Sequence, residues 1–435
     1  MKKWMLAASL LLVPAALLTA CSGGGNSATE PAPQEKKPAE PITLYVYDGV
    51  YTKADFEAIY PAALKEKFPN VTLQRIEKMT ANVHIDVEQM VVSGQELDII
   101  LAPNFHYQLL NQIGIIEDIT ARVKSNSAEL AKLNKDVNDN LTKVGNGKIV
   151  MLPLFRNIQA TFYNKGIFDK LGVSYPKDGM TYDDAIELAK KMTRTLDGIK
   201  YYGFFPGNPA IQLGQLSQTF LDGKTDEPLL LSDSFTKVLN LHKSVFEVPG
   251  NDFVDVAKGR DNFFKVQNTA MIVDGMGYMN QQNMDTIDWD MVTIPSFKDK
   301  PNVHAKLDFF ASYVSLKSKH KEAAVDVITA MATNEKIQGL IAESARIPVI
   351  DNADVLKKYG SKKMQGKNTS VLQKTISAPL PATSNYENQW NLTGAPFMAQ
   401  AYTPVMQGKI DANTGLRAAQ EAVQQLMKAE KAKAK

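Results

Sequence analysis

The chain is 435 residues long, with 49 Lys and Arg against 47 Asp and Glu, five His and a single Cys. So balanced a charge gives no basic footprint for nucleic acid, which demands a net positive face. One cysteine can form neither an internal disulfide nor a Cys-based zinc site, and the length exceeds what one hydrophobic core usually holds, so two domains are expected.

The first element is a leader. Lys2 and Lys3 form a basic start, and Met5 to Ala20 is almost wholly apolar but broken by Pro14. That run is too short for a membrane span of about 20 residues and reads as a secretory signal over residues 1–20. It ends in Leu18-Thr19-Ala20-Cys21, which resembles a bacterial lipobox. Small residues let the chain lie extended in a peptidase groove, and the Cys21 thiol is the atom that accepts a diacylglyceryl lipid. Removing the leader takes two lysines and no acids, leaving 47 basic against 47 acidic residues. Residues 22–40 contain no aromatic and no large aliphatic side chain. They cannot bury enough apolar surface to offset ordering, and so read as a flexible tether. At about 5–6 Å × √n, the tether holds the globular part a few nanometres from a bilayer. A lipid anchor with a tether suits the outer face of a Gram-positive cell membrane.

Beyond the tether, strand-like and helix-like pieces alternate, the pattern of an α/β protein. Ile42 to Tyr47 is rich in strand formers. Phe56, Ile59, Ala63 and Leu64 recur at helical spacing, with Pro61 predicted to kink or interrupt the helix. Val71 to Ile76 and Leu97 to Leu101 are further strand candidates. Thr181 and Asp184 form a capping-box start for an apolar stripe of Ala185, Leu188, Ala189 and Met192. A second stripe runs through Ala323, Ala324, Val327, Ile328 and Met331. Both are core faces. The terminal KAEKAKAK is a solvated helix end whose lysines favour the macrodipole.

Catalytic signatures are missing. No two of His84, His106, His242, His304 and His320 stand four apart, and neither a Gly-x-Ser-x-Gly elbow nor a phosphate loop occurs. Asp411-x-Asn413-x-Gly415 has the start of a calcium loop, but the twelfth position is Ala422. It reads instead as a turn capping the helix before Leu416. No metal and no cofactor is expected, and the chain is not expected to be an enzyme.

Several blocks resemble a known family. Gly147-Lys148-Ile149-Val150-Met151-Leu152-Pro153, then Thr161-Phe162-Tyr163-Asn164-Lys165 and Phe168-Asp169-Lys170-Leu171-Gly172, are similar to an inter-lobe strand and its sequel in the sugar-type (family 1) extracellular solute-binding proteins of ABC importers. Tyr182 to Thr193, Glu96 to Ile100, Asn268 to Gly275, Ser318 to Ala324 and Gln407 onward resemble further family blocks, in the family's order. Together they cover nearly all of residues 41–430. Where many members carry Trp after the Ala-Met block, this chain has Met276-Gly277-Tyr278.

The resemblance implies a two-lobe, periplasmic-binding-protein-like (type II) α/β fold with discontinuous domains and a hinge. Crossings are expected near 153, 294 and 335, giving one lobe from 41–153 plus 294–335 and another from 154–293 plus 336–435. It further implies a monomer that closes on a carbohydrate or oligosaccharide and delivers it to ABC permease subunits. The alternatives are a non-sugar ligand, for which Arg156 and His106 suit an anion, or a surface lipoprotein enzyme acting on polysaccharide. A sensory subunit feeding a membrane kinase would share the same fold. A sugar site needs aromatic platforms and planar hydrogen-bonding groups, and loops after strands supply the candidates. These are Tyr47, Asp48 and Tyr51; Asn104, His106 and Tyr107; Arg156, Asn157 and Gln159; Phe204, Phe205 and Asn208; Asp274 and Tyr278; and Tyr386, Gln389 and Trp390. Tyr278 and Trp390 lead the set. Duller roles compete: a turn or cap for Asp48 and Asn104, a cap or surface position for His106, a structural pair for Arg156, and core for one of Phe204 and Phe205. Trp289 is expected to be structural.

Overall fold

A computed structural model describes residues 40–433 apart from 81, 281 and 307, so the leader, Cys21 and nearly all of the tether lie outside the described residues. Twelve strands occur among them: β1 (Ile42–Asp48), β2 (Val71–Glu77), β3 (Ile99–Pro103), β4 (Leu152–Asn157), β5 (Gln159–Asn164) and β6 (Arg194–Leu196). The rest are β7 (Ile199–Phe205), β8 (Thr269–Gly275), β9 (Trp289–Thr293), β10 (Val303–Lys306), β11 (Asp308–Val314) and β12 (Ile376–Ala378). Ten of them form two five-stranded sheets, ordered β2-β1-β3-β11-β4 and β6-β7-β8-β5-β9. In the first, β1 runs parallel to β2 and β3, and β11 antiparallel to β3 and β4. In the second, β7 and β8 are parallel and β5 is antiparallel to β8 and β9. Each sheet is the centre of a lobe, and both lobes belong to one packed unit.

The central strands are continuous apolar runs because helices cover both sheet faces. Ile99 to Ala102 in β3 and every residue of β8 are buried. Pro61 does interrupt its helix. The chain forms Lys53–Ile59, breaks at Tyr60 and restarts with Pro61 in the first turn of Pro61–Lys67, where its missing N–H costs nothing. Thr181 and Asp184 close the expected capping box on helix Tyr182–Met192. Asp411 accepts from the Thr414 amide at 3.0 Å and so acts as the cap at the start of helix Ala412–Lys433.

Three connections join the lobes. Ile158 alone separates β4 in the first sheet from β5 in the second. The other two run side by side, since β10 and β12 pair in parallel as a two-stranded ribbon. The third crossing was expected near 335 but lies near 376. Helix Glu335–Glu343 stays on the first lobe, where buried Gln338 donates to the Leu154 carbonyl at 3.1 Å and accepts from the Val349 amide at 2.9 Å. Residues 336–350 therefore pack with the first sheet, not the second.

Candidate functional site

A cleft of about 640 Å³ is lined by residues of both lobes, within the ~300–1,000 Å³ common for small-molecule sites. The first lobe contributes Asn104 and Phe105 from the turn after β3, Gln108 from helix Tyr107–Gln112, Asn157 from the end of β4 and Asp308 from the start of β11. The second contributes Gln159 from β5, Asn208, Arg260, Asp274 and Gly275 from the end of β8, Tyr278, Glu387, Asn388 and Trp390. The carboxyl ends of β3 and β8 thus both feed the cleft, as open α/β sheets favour.

Backbone punctuation positions these groups. Asn208 caps helix Pro209–Gln215 by accepting from the Ala210 amide at 2.9 Å. Asn157 donates to Asp308 at 2.9 Å and accepts from the Gly277 amide at 2.9 Å, which ties the two lobes together beside the first crossing. Glu387 accepts from the Phe220 and Leu221 amides at 2.9 and 3.0 Å, fixing the irregular segment that carries Asn388 and Trp390. Asn388 then donates to Gln108 at 2.9 Å, a bond from one lobe to the other.

Arg260 forks onto Asp274 through Nε at 2.7 Å and Nη2 at 2.8 Å. Its guanidinium lies 3.7 Å from the centre of the Tyr278 ring. Burial works against the Arg260 charge, but the Asp274 hydrogen bonds and charge outweigh it and hold the pKa above the usual guanidinium range. Gln159 is almost fully buried in the cleft wall, and its Oε1 has no hydrogen-bond partner. Two aromatic side chains on the cleft remain open to solvent, Phe105 at 46 % and Trp390 at 55 %. Among the described residues no three His, Cys, Asp or Glu side chains are grouped to hold a metal ion.

Of the sequence candidates, Asn104, Asn157, Gln159, Asn208, Asp274, Tyr278 and Trp390 come together on this cleft. The others do not line it. Tyr47 is buried and donates to Asp86 at 2.8 Å. Asp48 caps its own turn through the Val50 and Tyr51 amides and pairs with Arg75 at 2.7 Å. Tyr51 is buried with its hydroxyl 2.6 Å from that of Tyr60. Arg156 donates to the Pro348 carbonyl at 3.1 Å, and burial lowers its pKa. His106 packs its ring against Phe105, and burial pushes its pKa down to about 4, with His84 adding to the fall. Tyr107 is buried on the core face of helix Tyr107–Gln112, and Phe204 and Phe205 are both core because β7 is covered on both faces. Tyr386 packs on the second core, and Gln389 is absent from the lining. Tyr278 reaches the cleft, but Arg260 lies over its ring, which leaves Trp390 as the more open platform.

Sequence reasoning missed Phe105, Gln108, Arg260, Asp308, Glu387 and Asn388. One signal was available: Asn104 and Gln108 are four apart and share a helical face, while Tyr107 and Leu110 turn to the core.

Residues 51–338 match the profile of a protein family described as bacterial extracellular solute-binding protein. The chain belongs to that family. The fold of this solute-binding protein is shared with solved structures of low sequence identity. An ABC substrate-binding protein from Listeria monocytogenes in complex with cycloalternan is 17% identical, with TM-score 0.70 over 90% of this chain and 99% of that one. A sugar transporter from Rhizobium etli in an open conformation is 20% identical, with TM-score 0.68 over 88% and 99%. A cyclic alpha-maltosyl-1,6-maltose binding protein from Arthrobacter globiformis is 15% identical, with TM-score 0.70 over 88% and 98%. No curated protein matches in sequence. No helix of the described residues is long and apolar enough to cross a membrane.

Proposed function

We propose that this solute-binding protein captures an oligosaccharide in the cleft between its lobes and hands it, unaltered, to the permease of an ABC importer. In this reading Cys21 carries the lipid that keeps it on the outer face of the membrane, and residues 22–40 give it reach. The observation that carries the reading is the pair of open aromatics, Phe105 from one lobe and Trp390 from the other, on a cleft lined with amides. Sugar rings offer apolar C–H faces for such platforms and hydroxyls for Asn and Gln, which both donate and accept. The carbohydrates named for the structurally similar proteins, cycloalternan and cyclic alpha-maltosyl-1,6-maltose, agree with this chemistry. A few pyranose rings suit the volume, and closure of the lobes on them would complete the site. Phe105, Gln108, Asn157, Gln159, Asp274 and Trp390 are the proposed ligand contacts.

The test is a thermal-shift screen against mono- and oligosaccharides, amino acids, peptides and polyamines. Ligand at 100 times its Kd stabilises the native state by about 2.7 kcal/mol. A saturable shift with one glycan class, with no change in the glycan by mass spectrometry, supports the reading. A shift confined to peptides or polyamines overturns the substrate class, and released glycan products would overturn the transport role.

A further inference from the structure

We infer that Arg260 binds the ligand and sets its specificity, reading two neighbouring hydroxyls of one sugar ring, a vicinal diol, through the free end of its guanidinium. This rests on the carbohydrate reading above and deepens it. Among the described residues Arg260 is the one Lys or Arg that lines the cleft.

The side chain is held at three levels. Helix Val256–Phe264 sits so close to the buried Phe205 ring that a Cβ at Gly259 would lie 2.4 Å from it. That contact fixes the backbone from which Arg260 projects. Asp274, at the end of β8 and only 4% exposed, accepts from Nε at 2.7 Å and Nη2 at 2.8 Å. The Tyr278 ring then covers one face of the guanidinium, with its centre 3.7 Å away. A planar group gripped along one edge and one face is already oriented before any ligand arrives, so little side-chain freedom is left to lose on binding.

A guanidinium carries five N–H groups and no acceptor. Asp274 takes one from Nε and one from Nη2. The others include the parallel pair at the Nη1–Nη2 end. Nη1 has no hydrogen-bond partner among the described residues and is not one of their buried orphan atoms, so it is open to solvent on a side chain that lines the cleft. Two parallel donors on a fixed fork match two adjacent acceptor oxygens. On a neutral sugar that pattern is a vicinal diol, whose hydroxyls accept from the fork and can still donate onward. Asp274 already balances the Arg260 charge, and the diol supplies the acceptors the fork lacks without adding a charge of its own.

The experiment is isothermal titration of the full chain and of Arg260→Lys with α- and β-linked trisaccharides of glucose, mannose and galactose and with their monodeoxy forms. Lysine keeps a cation beside Asp274 but offers a point donor in place of the fork. In the unaltered protein, removing either of two adjacent hydroxyls on one ring is expected to weaken binding about fivefold or more. In Arg260→Lys the parent trisaccharide should bind about tenfold more weakly, and the same two deoxy forms should then match it within about twofold. A merely structural role for Arg260 would weaken parent and deoxy forms by one common factor, and that result overturns the inference. If Arg260→Lys does not fold, Arg260→Gln combined with Asp274→Asn, which removes both charges together, takes its place. Deoxy forms that all bind the unaltered protein as well as their parents also overturn it and leave the carbohydrate reading standing. Binding by none of these sugars overturns both.

Discussion

Gly394 opens helix Gly394–Phe397 directly beneath Trp390, and a Cβ built there would lie 2.2 Å from two carbons of the indole ring. No real contact is that short, so Gly394→Ala must push the ring aside. Because Trp390 is exposed, the ring can swing into solvent, and stability should hold within about 1 kcal/mol, the scale of Gly-to-Ala changes. The ligand platform would be lost without touching any polar contact. An indole can bury about 200 Å², and at 55% exposure roughly 110 Å² remains for a sugar to cover. A pyranose face covering half of it withdraws ~55 Å² from water, worth ~1.4 kcal/mol at 25 cal/mol/Å², or about tenfold in Kd. Gly394→Ala, Trp390→Ala and the double variant are each expected to weaken binding by about that factor, with no additivity, since all remove one platform. Isothermal titration beside urea denaturation reads both quantities. Additive losses, or full affinity in Trp390→Ala, would refute the reasoning.

Three further outcomes rest on burial and pairing. Gln159→Leu removes an acceptor that nothing in the protein satisfies, so the unliganded chain should be as stable or more so while affinity falls at least fivefold; lost stability in urea melts with unchanged affinity would contradict this. At Gly259 an added Cβ meets the buried Phe205 ring at 2.4 Å, and Gly259→Ala should cost ~1–3 kcal/mol, seen as a melting point several degrees lower. Burial keeps His242 neutral, with its pKa pushed down to about 3; it also pushes His106 and His304 down to about 4, with nearby His84 and Arg156 respectively adding to the effect. Unfolded histidines titrate near 6.5, so below that pH the unfolded chain binds protons the native one does not. Stability should be full above about pH 6.5 and fall toward pH 4, by up to ~1.4 kcal/mol per unit for each histidine. Urea midpoints that stay flat from pH 7 to 4.5 would sink this account.

The lobes were legible where local chemistry and tertiary demand coincide. The Ile99–Ala102 run can only be a strand buried on both faces, and Thr181 with Asp184 closes a capping box from four residues of sequence. The third crossing was hidden because β12 is three residues long and exposes Ile376 at 65%, so no alternation marks it. Loop position found seven of the residues that line the cleft. It could not separate Asp48, whose oxygens are taken by its own turn and by Arg75, from Asn104, which comes after another strand and lines the cleft. That difference depends on residues 27 positions away in sequence, at Arg75. Phe105 was passed over between Asn104 and His106 because an exposed aromatic looks like a core residue until the core is known to be full.

Rotation about a hinge moves atoms in proportion to their distance from the pivot, so contacts beside the crossings persist while contacts elsewhere between the lobes must break. Asn157, one residue before Ile158, bonds Asp308 in its own lobe and Gly277 in the other. Those bonds should survive opening. The Asn388–Gln108 bond at 2.9 Å also spans the lobes, but no crossing strand joins the two elements that make it. It should belong to the closed form. A net hydrogen bond is worth about 1 kcal/mol, so Asn388→Ala should shift the open-to-closed ratio about fivefold toward open. A ligand that binds only the closed form then loses up to that factor in affinity, and small-angle scattering of the unliganded variant should give a larger radius of gyration. If both the radius and Kd match the unaltered protein, the lobes do not part along this contact, and the pivot assigned to Ile158 is wrong.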